Sequence, residues 1–405
     1  MKLKKVLALV LILAVVGALV VSLAACNDDE EFKVGFIFLH DENSTYDKNF
    51  IDAARAATEA MGLSESQVLF RTNVPETDAC YNTARELVDA GCDVIFADSF
   101  GHEKFMLQAA REFPEVEFCH ATGTQAHTAG VENYHNAFAT IYEGRYLAGI
   151  AAGMKLKAKY GDAATGAVSD ANAKIGYVGA YPYAEVKSGY TSFFLGVRSI
   201  VPNATMEVVY TNSWYSEAAE KEGANRLIAN GAKLISQHAD SMGAPSACEQ
   251  AGIPNVSYHG STAADCPNTF IISSRIDWVP YFKYMIEQAQ KGEAIVADWC
   301  GTIETGSVVL TELGAAAAPG TQEAIDAAKA QLAAGTLKVF DTSKFTVNGQ
   351  TLTTHLADVD DAGDYVPETE AIHDGYFHES EYRSAPYFDI LIDGITEGGN
   401  VTVQE

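Results

Sequence analysis

Positive charge is scarce in this sequence. Among 405 residues, 27 lysines and arginines stand against 54 aspartates and glutamates, which gives a formal net charge of −27 at pH 7. Nucleic acids and anionic lipid surfaces are bound through basic patches, so this balance argues against both as partners. Long apolar runs are also absent beyond Val21, and no later segment reaches the length that is predicted to span a bilayer.

Closely spaced cysteines are missing as well. Because no C-x-x-C pair occurs, the sequence predicts no zinc site. Cys248 and Cys266 could form a disulfide in an oxidising compartment, but free buried thiols fit the sequence equally well. The seven cysteines are Cys26, Cys80, Cys92, Cys119, Cys248, Cys266 and Cys300.

The usual signatures of catalysis and of cofactor binding are missing too. Serine, histidine and aspartate come close together twice, at 98–102 and at 238–241, but neither trio lies in a G-x-S-x-G motif. No G-x-G-x-x-G fingerprint follows a predicted strand, and the acidic run 358–364 lacks the closing glutamate of a calcium loop. We therefore predict a binding protein with no cofactor and no metal, and an enzyme is the less favoured alternative.

The first 26 residues have the organisation of an export signal. Three lysines precede an apolar run over residues 6–21, and Leu23, Ala24 and Ala25 lead directly to Cys26. This ending resembles a bacterial lipobox, in which the cysteine is acylated and becomes the new N-terminus. An uncleaved transmembrane anchor is the alternative. Either reading predicts a membrane-tethered chain whose remainder lies outside the cytoplasm.

From residue 33 onward, short apolar segments alternate with amphipathic ones. Segments such as KVGFIFL at 33–39 and DVIFA at 93–97 predict buried strands, and periodic segments such as 50–61 predict helices. This alternation indicates βαβ units, so we predict an α/β fold with two doubly wound parallel-sheet lobes and a hinged cleft. The predicted boundaries are 32–160 for the first lobe, 161–275 for the second, 276–340 for a segment returning to the first lobe, and 341–405 for a C-terminal extension.

Aromatic and hydrogen-bonding residues recur directly after the predicted strands. The carboxyl ends of parallel strands form the edge at which α/β proteins bind ligands, and such residues could stack on a planar ring and accept its N–H donors. Polar loops and aromatic packing between the lobes are the alternative explanation. The segments are 40–47, 98–102, 179–183, 212–215, 238–241 and 258–260.

The same segments carry a family resemblance. Taken together, they resemble the basic membrane protein family, which comprises extracytoplasmic lipoproteins with a type I periplasmic-binding-protein fold that deliver purine bases or nucleosides to ABC importers. The similarity runs from about residue 32 to residue 310. The elements that carry it include KVGFIFLHDENSTYDKNF, DVIFADSFGHEKFMLQAAREF, YEGRYLAGIAAGMK, KIGYVGAYPYAEVKSGYTSFFLGVRS, TNSW, SQHADS and YHG.

The resemblance implies a pocket for a purine ring. Tyr46 and Phe100 would lie against the ring from the first lobe, Trp214 would close over it from the second, and Asp240 would accept its hydrogen bonds. The first loop, HDENSTYD, departs from the nucleoside receptors, and we therefore expect a free, adenine-like base rather than a nucleoside. Weaker candidates for the pocket edge are Asn43, Ser99, Tyr183, His259 and Asp277.

The resemblance also implies partners. The closed, ligand-bound form would dock on an ABC transporter permease, and Cys26 would hold the chain at the membrane. A surface sensor that binds the same ligand without feeding a transporter is the alternative, and a purine-processing enzyme is a more distant one.

Overall fold

The computed structural model describes residues 31–359 and 366–401. The predicted signal segment and its lipidation site, Cys26, lie outside the described residues. No helix within the described ranges is both long enough and apolar enough to cross a membrane. The six cysteines from Cys80 onward all have free thiols, so Cys248 and Cys266 are not paired.

Helices and strands alternate through most of the chain. The helices are α1 (Thr45–Ala60), α2 (Asp78–Asp89), α3 (Glu103–Glu112), α4 (Ile141–Tyr160), α5 (Ala184–Ile200), α6 (Glu217–Ala229), α7 (Gly243–Ala251), α8 (Val279–Lys291) and α9 (Thr321–Ala333). The strands are β1 (Val34–Ile37), β2 (Val68–Arg71), β3 (Val94–Ala97), β4 (Glu117–Ala121), β5 (Tyr134–Ala139), β6 (Lys174–Gly179), β7 (Thr205–Tyr210), β8 (Ile235–His238), β9 (Asn255–Tyr258), β10 (Phe270–Ile276), β11 (Asp298–Gly301), β12 (Val308–Leu310), β13 (Leu356–Ala357), β14 (Thr369–Glu370), β15 (Ile372–His373), β16 (Tyr376–Phe377) and β17 (Ile395–Asn400).

The first lobe contains a six-stranded sheet in the order β11-β5-β4-β3-β1-β2. All of its strand pairs are parallel. Successive side chains of a strand point to opposite faces, so Phe36 and Phe96 belong to one apolar core while Ile37 and Ile95 belong to another. Both faces of the sheet are therefore buried, as the continuous apolar segments predicted.

The second lobe contains a seven-stranded sheet in the order β12-β10-β9-β8-β6-β7-β17. Only the edge strand β12 runs antiparallel to its neighbour. Strand β17, from the end of the chain, adds to the opposite edge by pairing in parallel with β7. The predicted fold class, two parallel-sheet α/β lobes, is confirmed.

The chain passes between the lobes three times before α9. Strand β5 lies in the first sheet, whereas the helix that follows it, α4, packs on α5 of the second lobe. Strand β10 lies in the second sheet, and α8 returns to pack on α1. Strands β11 and β12 make the third passage, and Thr140 N–H donates to Gly301 O at 2.8 Å where two of these segments run side by side. Such parallel passages are the places where two lobes can bend relative to each other.

Two glycines set how closely α4 and α5 approach. A Cβ atom on Gly149 would lie 2.1 Å from Phe193 O, and one on Gly196 would lie 2.1 Å from Tyr146 O. Any larger residue would therefore force the two helix backbones apart, because side-chain and carbonyl atoms cannot approach so closely.

Candidate functional site

The site lies where the strand order of each sheet reverses. In the first sheet this point falls between β1 and β3, and in the second it falls between β6 and β8. Loops at the carboxyl ends of such strand pairs diverge and leave a crevice, which is the usual ligand site of open α/β sheets. The two crevices face each other across the cleft.

A cavity lies between the two lobes, and it encloses about 320 Å³ when space open to solvent is included. The cavity is lined by Leu39, Tyr46, Ser99, Phe100, Thr122, Glu185, Trp214, His238, Asp240 and His259.

Six of the nine residues that the sequence predicted for the pocket line this cavity. Five of them follow strands of the two sheets directly or within a few residues, and Tyr46 lies in the first turn of α1. A seventh, Tyr183, lies at the rim, with its ring 5.7 Å from Phe100 and 6.1 Å from Trp214. The six lining residues are Tyr46, Ser99, Phe100, Trp214, Asp240 and His259.

The remaining two predicted residues lie away from the cavity wall. Asn43 is exposed in the first loop, where its side-chain amide donates to Asp41 Oδ1 at 2.8 Å. Asp277 lies in the passage from β10 to α8, where its Oδ1 accepts from Val279 N–H at 3.1 Å. Asp277 thus stabilises the start of α8 beside an interlobe passage.

Helix α1 places Tyr46 against the cavity. Ser44 caps this helix, because its hydroxyl oxygen accepts from Asp47 N–H at 3.2 Å. The Tyr46 hydroxyl donates to Asp98 O at 2.7 Å, and its ring lies 4.9 Å from that of His259. The phenol oxygen is therefore bonded to the Asp98 backbone, and the ring forms part of the cavity wall.

A short turn at Phe100–His102 holds the aromatic ring of Phe100 in position. Glu76 accepts at one carboxylate oxygen from both the Ser99 hydroxyl and Gly101 N–H, each at 2.7 Å. His102 Nε2 lies 2.9 Å from Val74 O. These contacts are structural. Ser99 and His102 are joined by a backbone hydrogen bond, from His102 N–H to Ser99 O at 2.9 Å, whereas their side chains bond Glu76 and Val74 rather than each other as in a catalytic pair.

Asp240 is a buried acceptor that also joins the lobes. Its backbone carbonyl accepts from Thr45 N–H at 2.9 Å and from the Thr45 hydroxyl at 3.0 Å, across the cleft. Burial, together with the nearby carboxylates of Asp47 and Glu185, raises the pKa of the Asp240 carboxyl well above its usual range. A ligand that donates hydrogen bonds to this group would stabilise its charged form.

The histidines of the cavity are uncharged. His259 Nε2 lies 3.4 Å from Asp240 Oδ1, but burial lowers the pKa of His259 to about 3. The contact is therefore a polar contact of a neutral imidazole rather than an ion pair. Burial also lowers the pKa of His238, although Glu185 Oε1 lies 3.2 Å from its Nε2.

Neither lysine nor arginine is among the residues that line the cavity, whereas two carboxyl groups are. Arg145, which is fully buried behind the wall, has its guanidinium 4.6 Å from the Tyr258 ring and donates to Gln237 O at 3.0 Å. An anionic ligand would therefore find no charge-assisted donor at the cavity wall, while a neutral or cationic ligand with N–H or O–H donors would find acceptors.

Two residues of the wall have left-handed backbone conformations. Thr122 has φ 66° and His259 has φ 68°. For residues other than glycine this conformation costs on the order of 1 kcal/mol or more, and such strain concentrates at functional sites. Gly123 follows Thr122 in a tight place, since a Cβ there would lie 1.9 Å from Asn136 Nδ2 and 2.6 Å from Glu103 Oε1.

Sequence reasoning missed four lining residues. Leu39, Thr122, Glu185 and His238 belong to the wall but were not among the nine predicted residues, although His238 lies in the segment 238–241 that follows a predicted strand. Glu185 lies in the first turn of α5, where an acidic residue ordinarily only stabilises the helix end, so its position carried no distinctive signal.

One group of side chains in the described part of the chain could hold a metal ion. The ligand atoms of His373, Asp374 and His378 lie within 4.8 Å of one another, in the β15–β16 hairpin and just after it. None of the three is among the residues that line the cavity.

The chain matches a known family over most of its length. The sequence model described as "ABC transporter substrate-binding protein PnrA-like" (Bmp) matches residues 37–332. A purine-binding protein of Brucella abortus is 31% identical over 261 residues, which are 64% of this chain and 69% of that protein. A putative glucose-binding protein of an ABC transporter from Haloferax volcanii is 29% identical over 313 residues, which are 77% of this chain and 72% of that protein.

Solved structures share the fold. A solute-binding protein of an ABC transporter system from Conexibacter woesei superposes with a TM-score of 0.61 at 22% identity, covering 76% of this chain and 98% of that chain. A second, from Aeropyrum pernix, gives a TM-score of 0.63 at 16% identity, covering 76% and 93% of the two chains. The family and the fold are those of extracytoplasmic substrate-binding proteins of ABC transporters rather than of enzymes.

Proposed function

Because this chain belongs to the PnrA-like family of ABC transporter substrate-binding proteins, we propose that it captures a purine, as the base or as a nucleoside, in the cleft between its lobes. The observation that carries this proposal is the composition of the cavity wall. Aromatic rings from both lobes meet carboxyl and neutral imidazole groups there, and the wall has no lysine or arginine. A neutral heteroaromatic ring with N–H donors matches such a wall. The purine-binding relative supports the same choice.

Each wall residue has a distinct role in this proposal. Phe100 and Tyr46 contact the ring from the first lobe, and Trp214 covers it from the second. Asp240 accepts hydrogen bonds from ring or exocyclic N–H groups, while Ser99, Tyr183 and His259 bound the edge. Asn43 and Asp277, which lie off the wall, act only through the first loop and the interlobe passage.

Closure of the lobes delivers the ligand. The open form admits the purine, and the closed form removes it from water and presents both lobes to a permease. Acylation of Cys26 would keep the protein at the extracytoplasmic face of the membrane, where the permease is. Neither a cofactor nor a covalent step is needed for this function.

A monosaccharide is the second candidate ligand, since the relative from Haloferax volcanii is described as a putative glucose-binding protein. Sugars also pack on aromatic faces and donate to carboxylates. The wall favours a purine because aromatic rings are contributed by both lobes, as a ligand with two flat apolar faces requires.

Thermal stabilisation of the chain from residue 27 to 405 tests the ligand. Any compound that binds only the folded state raises Tm, by an amount that grows with its concentration relative to Kd. We expect adenine or another purine to raise Tm, and we expect Trp214→Ala and Asp240→Ala to abolish the shift. Tyr382→Ala and Asp265→Ala, which alter residues outside the cavity, should keep it.

Two results would contradict the proposal. A shift with glucose or another sugar, beside no response to any purine, would leave the fold and family intact and replace the ligand. If the purified protein converted a purine to a product, and Asp240→Asn abolished that turnover, the protein would be an enzyme. Import and sensing are separated by measuring uptake of labelled purine in cells with and without the chain. A role in import predicts that uptake is lost without the chain, whereas a sensor leaves uptake unchanged.

A further inference from the structure

A second chamber opens beside the cavity. It encloses about 1220 Å³, including space that is continuous with solvent. Phe100, Thr122 and Glu185 form part of the walls of both spaces. The two spaces therefore adjoin at these three residues, and a ring held against Phe100 would lie next to the chamber.

The C-terminal extension forms the outer wall of this chamber. Residues Arg383, Ala385, Pro386, Tyr387 and Asp389 line it, opposite Thr124 of the first lobe and Ala184 of the second. These wall residues lie beyond residue 332, where the match to the family ends. The chamber is thus built partly from a segment that this chain adds to the common fold.

Both lobes hold the wall segment in place. On one side, Ser384 N–H donates to Asp298 Oδ2 at 2.7 Å, and Asp298 belongs to β11 of the first sheet. On the other side, Lys187 of α5 donates from Nζ to Asp389 O at 3.5 Å. The chain then continues into β17, which pairs with β7 of the second sheet. A segment anchored on both sides of a cleft is positioned to contact whatever occupies it.

The lining of the chamber is mainly apolar, and a few hydrogen-bond acceptors are set into it. Glu185 and Asp389 contribute carboxylates, and about half of the Asp389 side chain (53%) is exposed even though His355 Nε2 lies 2.8 Å from its Oδ1. Thr122 adds a hydroxyl oxygen, and Tyr183 adds an exposed ring. Carboxylates accept strong hydrogen bonds from hydroxyl and amino groups.

We propose that the segment Arg383–Asp389 is part of the ligand site and selects purines that carry a hydroxylated substituent. This inference rests on the proposed purine function and deepens it. The first loop favours a free base, because it departs from the loop of the nucleoside receptors. The chamber supplies contacts for a substituent from the C-terminal extension instead of from the first loop.

Binding of adenine and of adenosine to the chain from residue 27 to 405 tests this inference by titration calorimetry. Ala184→Phe places a bulky ring in the chamber, and Asp389→Ala removes an acceptor from the wall segment. We expect Asp389→Ala to weaken adenosine binding by about tenfold, the usual effect of losing one hydrogen bond to a charged group, and Ala184→Phe to weaken it by at least as much because its ring occupies the space of the substituent. Adenine affinity should change less than about twofold in either variant. Matched changes on the exposed face of α9, Ala330→Phe and Asp326→Ala, should alter neither affinity.

The outcomes separate the two proposals. If the wild-type chain binds adenine but not adenosine, or if Ala184→Phe and Asp389→Ala change both affinities equally or not at all, the role of the extension is overturned and the purine function stands. If the wild-type chain binds neither purine, the purine function fails and this inference falls with it. Tm of each variant, measured without ligand, shows whether the variant is folded.

Discussion

Individual residues around the cavity are held by contacts that leave little freedom. Thr122 carries a strained backbone, and Gly123 beside it occupies a space that admits no Cβ atom. Glu103 stabilises this turn, because its Oε1 accepts from Thr124 N–H at 2.7 Å and from Gln125 N–H at 3.0 Å. The position of the Thr122 side chain in the cavity wall therefore depends on Gly123.

Replacement of Gly123 tests this dependence. In Gly123→Ala the new methyl group would overlap Asn136 Nδ2 and Glu103 Oε1, so we expect a loss of about 2–4 kcal/mol in the free energy of unfolding. Purine affinity should fall as well, because Thr122 shifts. Urea denaturation and calorimetric titration measure the two effects.

Gly260→Ala, where a Cβ has no atom within 4 Å, is the control and should be neutral within about 0.5 kcal/mol. Equal stability of the two variants would contradict the prediction.

Among the elements, the contact between α4 and α5 assigns α4 to the second lobe. Helix α4 follows a strand of the first sheet but packs on a helix of the second lobe. The close approach at Gly149 and Gly196 brings the two backbones into direct contact. Tight packing of this kind resists sliding, so α4 is held firmly on the second lobe.

Enlarging either glycine should disrupt this contact. We expect Gly149→Ala and Gly196→Ala each to lower the free energy of unfolding by about 2–4 kcal/mol, because backbone carbonyl oxygens must move to admit the methyl group. The intrinsic helix propensity of alanine favours the opposite sign by about 1 kcal/mol, and overlap at 2.1 Å outweighs it. Lys157→Ala, on the exposed face of α4, is the helix-matched control. Stabilisation by either glycine replacement would show that the helices do not approach this closely.

At the scale of the whole molecule, buried ionisable groups couple stability to pH. Burial lowers the pKa of His102 and of His120 to about 4. The unfolded chain binds protons at these positions as pH falls below about 6.5, whereas the folded protein does so only near 4. Their contribution to stability is therefore complete above about pH 6.5 and is lost as pH falls through 4. Glu379 and Glu220 act in the opposite direction, because burial raises their pKa to about 7 and about 8.

The histidine contribution can be isolated with one variant. We expect the free energy of unfolding of the wild-type chain to fall between pH 6.5 and pH 4 more steeply than that of His120→Gln, by a total on the order of 3 kcal/mol. Urea denaturation at several pH values provides the two slopes. Comparison of slopes removes any uniform cost of the substitution itself. Identical slopes would mean that His120 is protonated equally in the folded and unfolded states.

Much of this architecture follows from local sequence alone. Apolar segments such as those at 33–39 and 93–97 predict buried parallel strands, and the structure contains β1 and β3 there. Since parallel strands end at one edge of a sheet, the residues that follow them are expected to lie close together at that edge. Tyr46, Phe100 and Trp214 line one cavity. The predicted export signal likewise rests on a local pattern, and its residues lie outside the described ranges.

Tertiary structure alone decided the rest. The strands β5 and β10 were not predicted, because polar residues such as Asn136 and Ser273 interrupt their apolar pattern. Each is extended because it pairs with strands on both sides and is buried between them. Glu185 lines the cavity, where its Oε1 lies 3.2 Å from His238 Nε2 of a neighbouring strand, whereas the Asn43 side chain donates to Asp41 in its own loop. The extension reaches the cleft through Ser384 and Asp298, residues 86 positions apart. Local periodicity encodes which segments become strands and helices, but only packing between distant segments determines which side chains share a cavity.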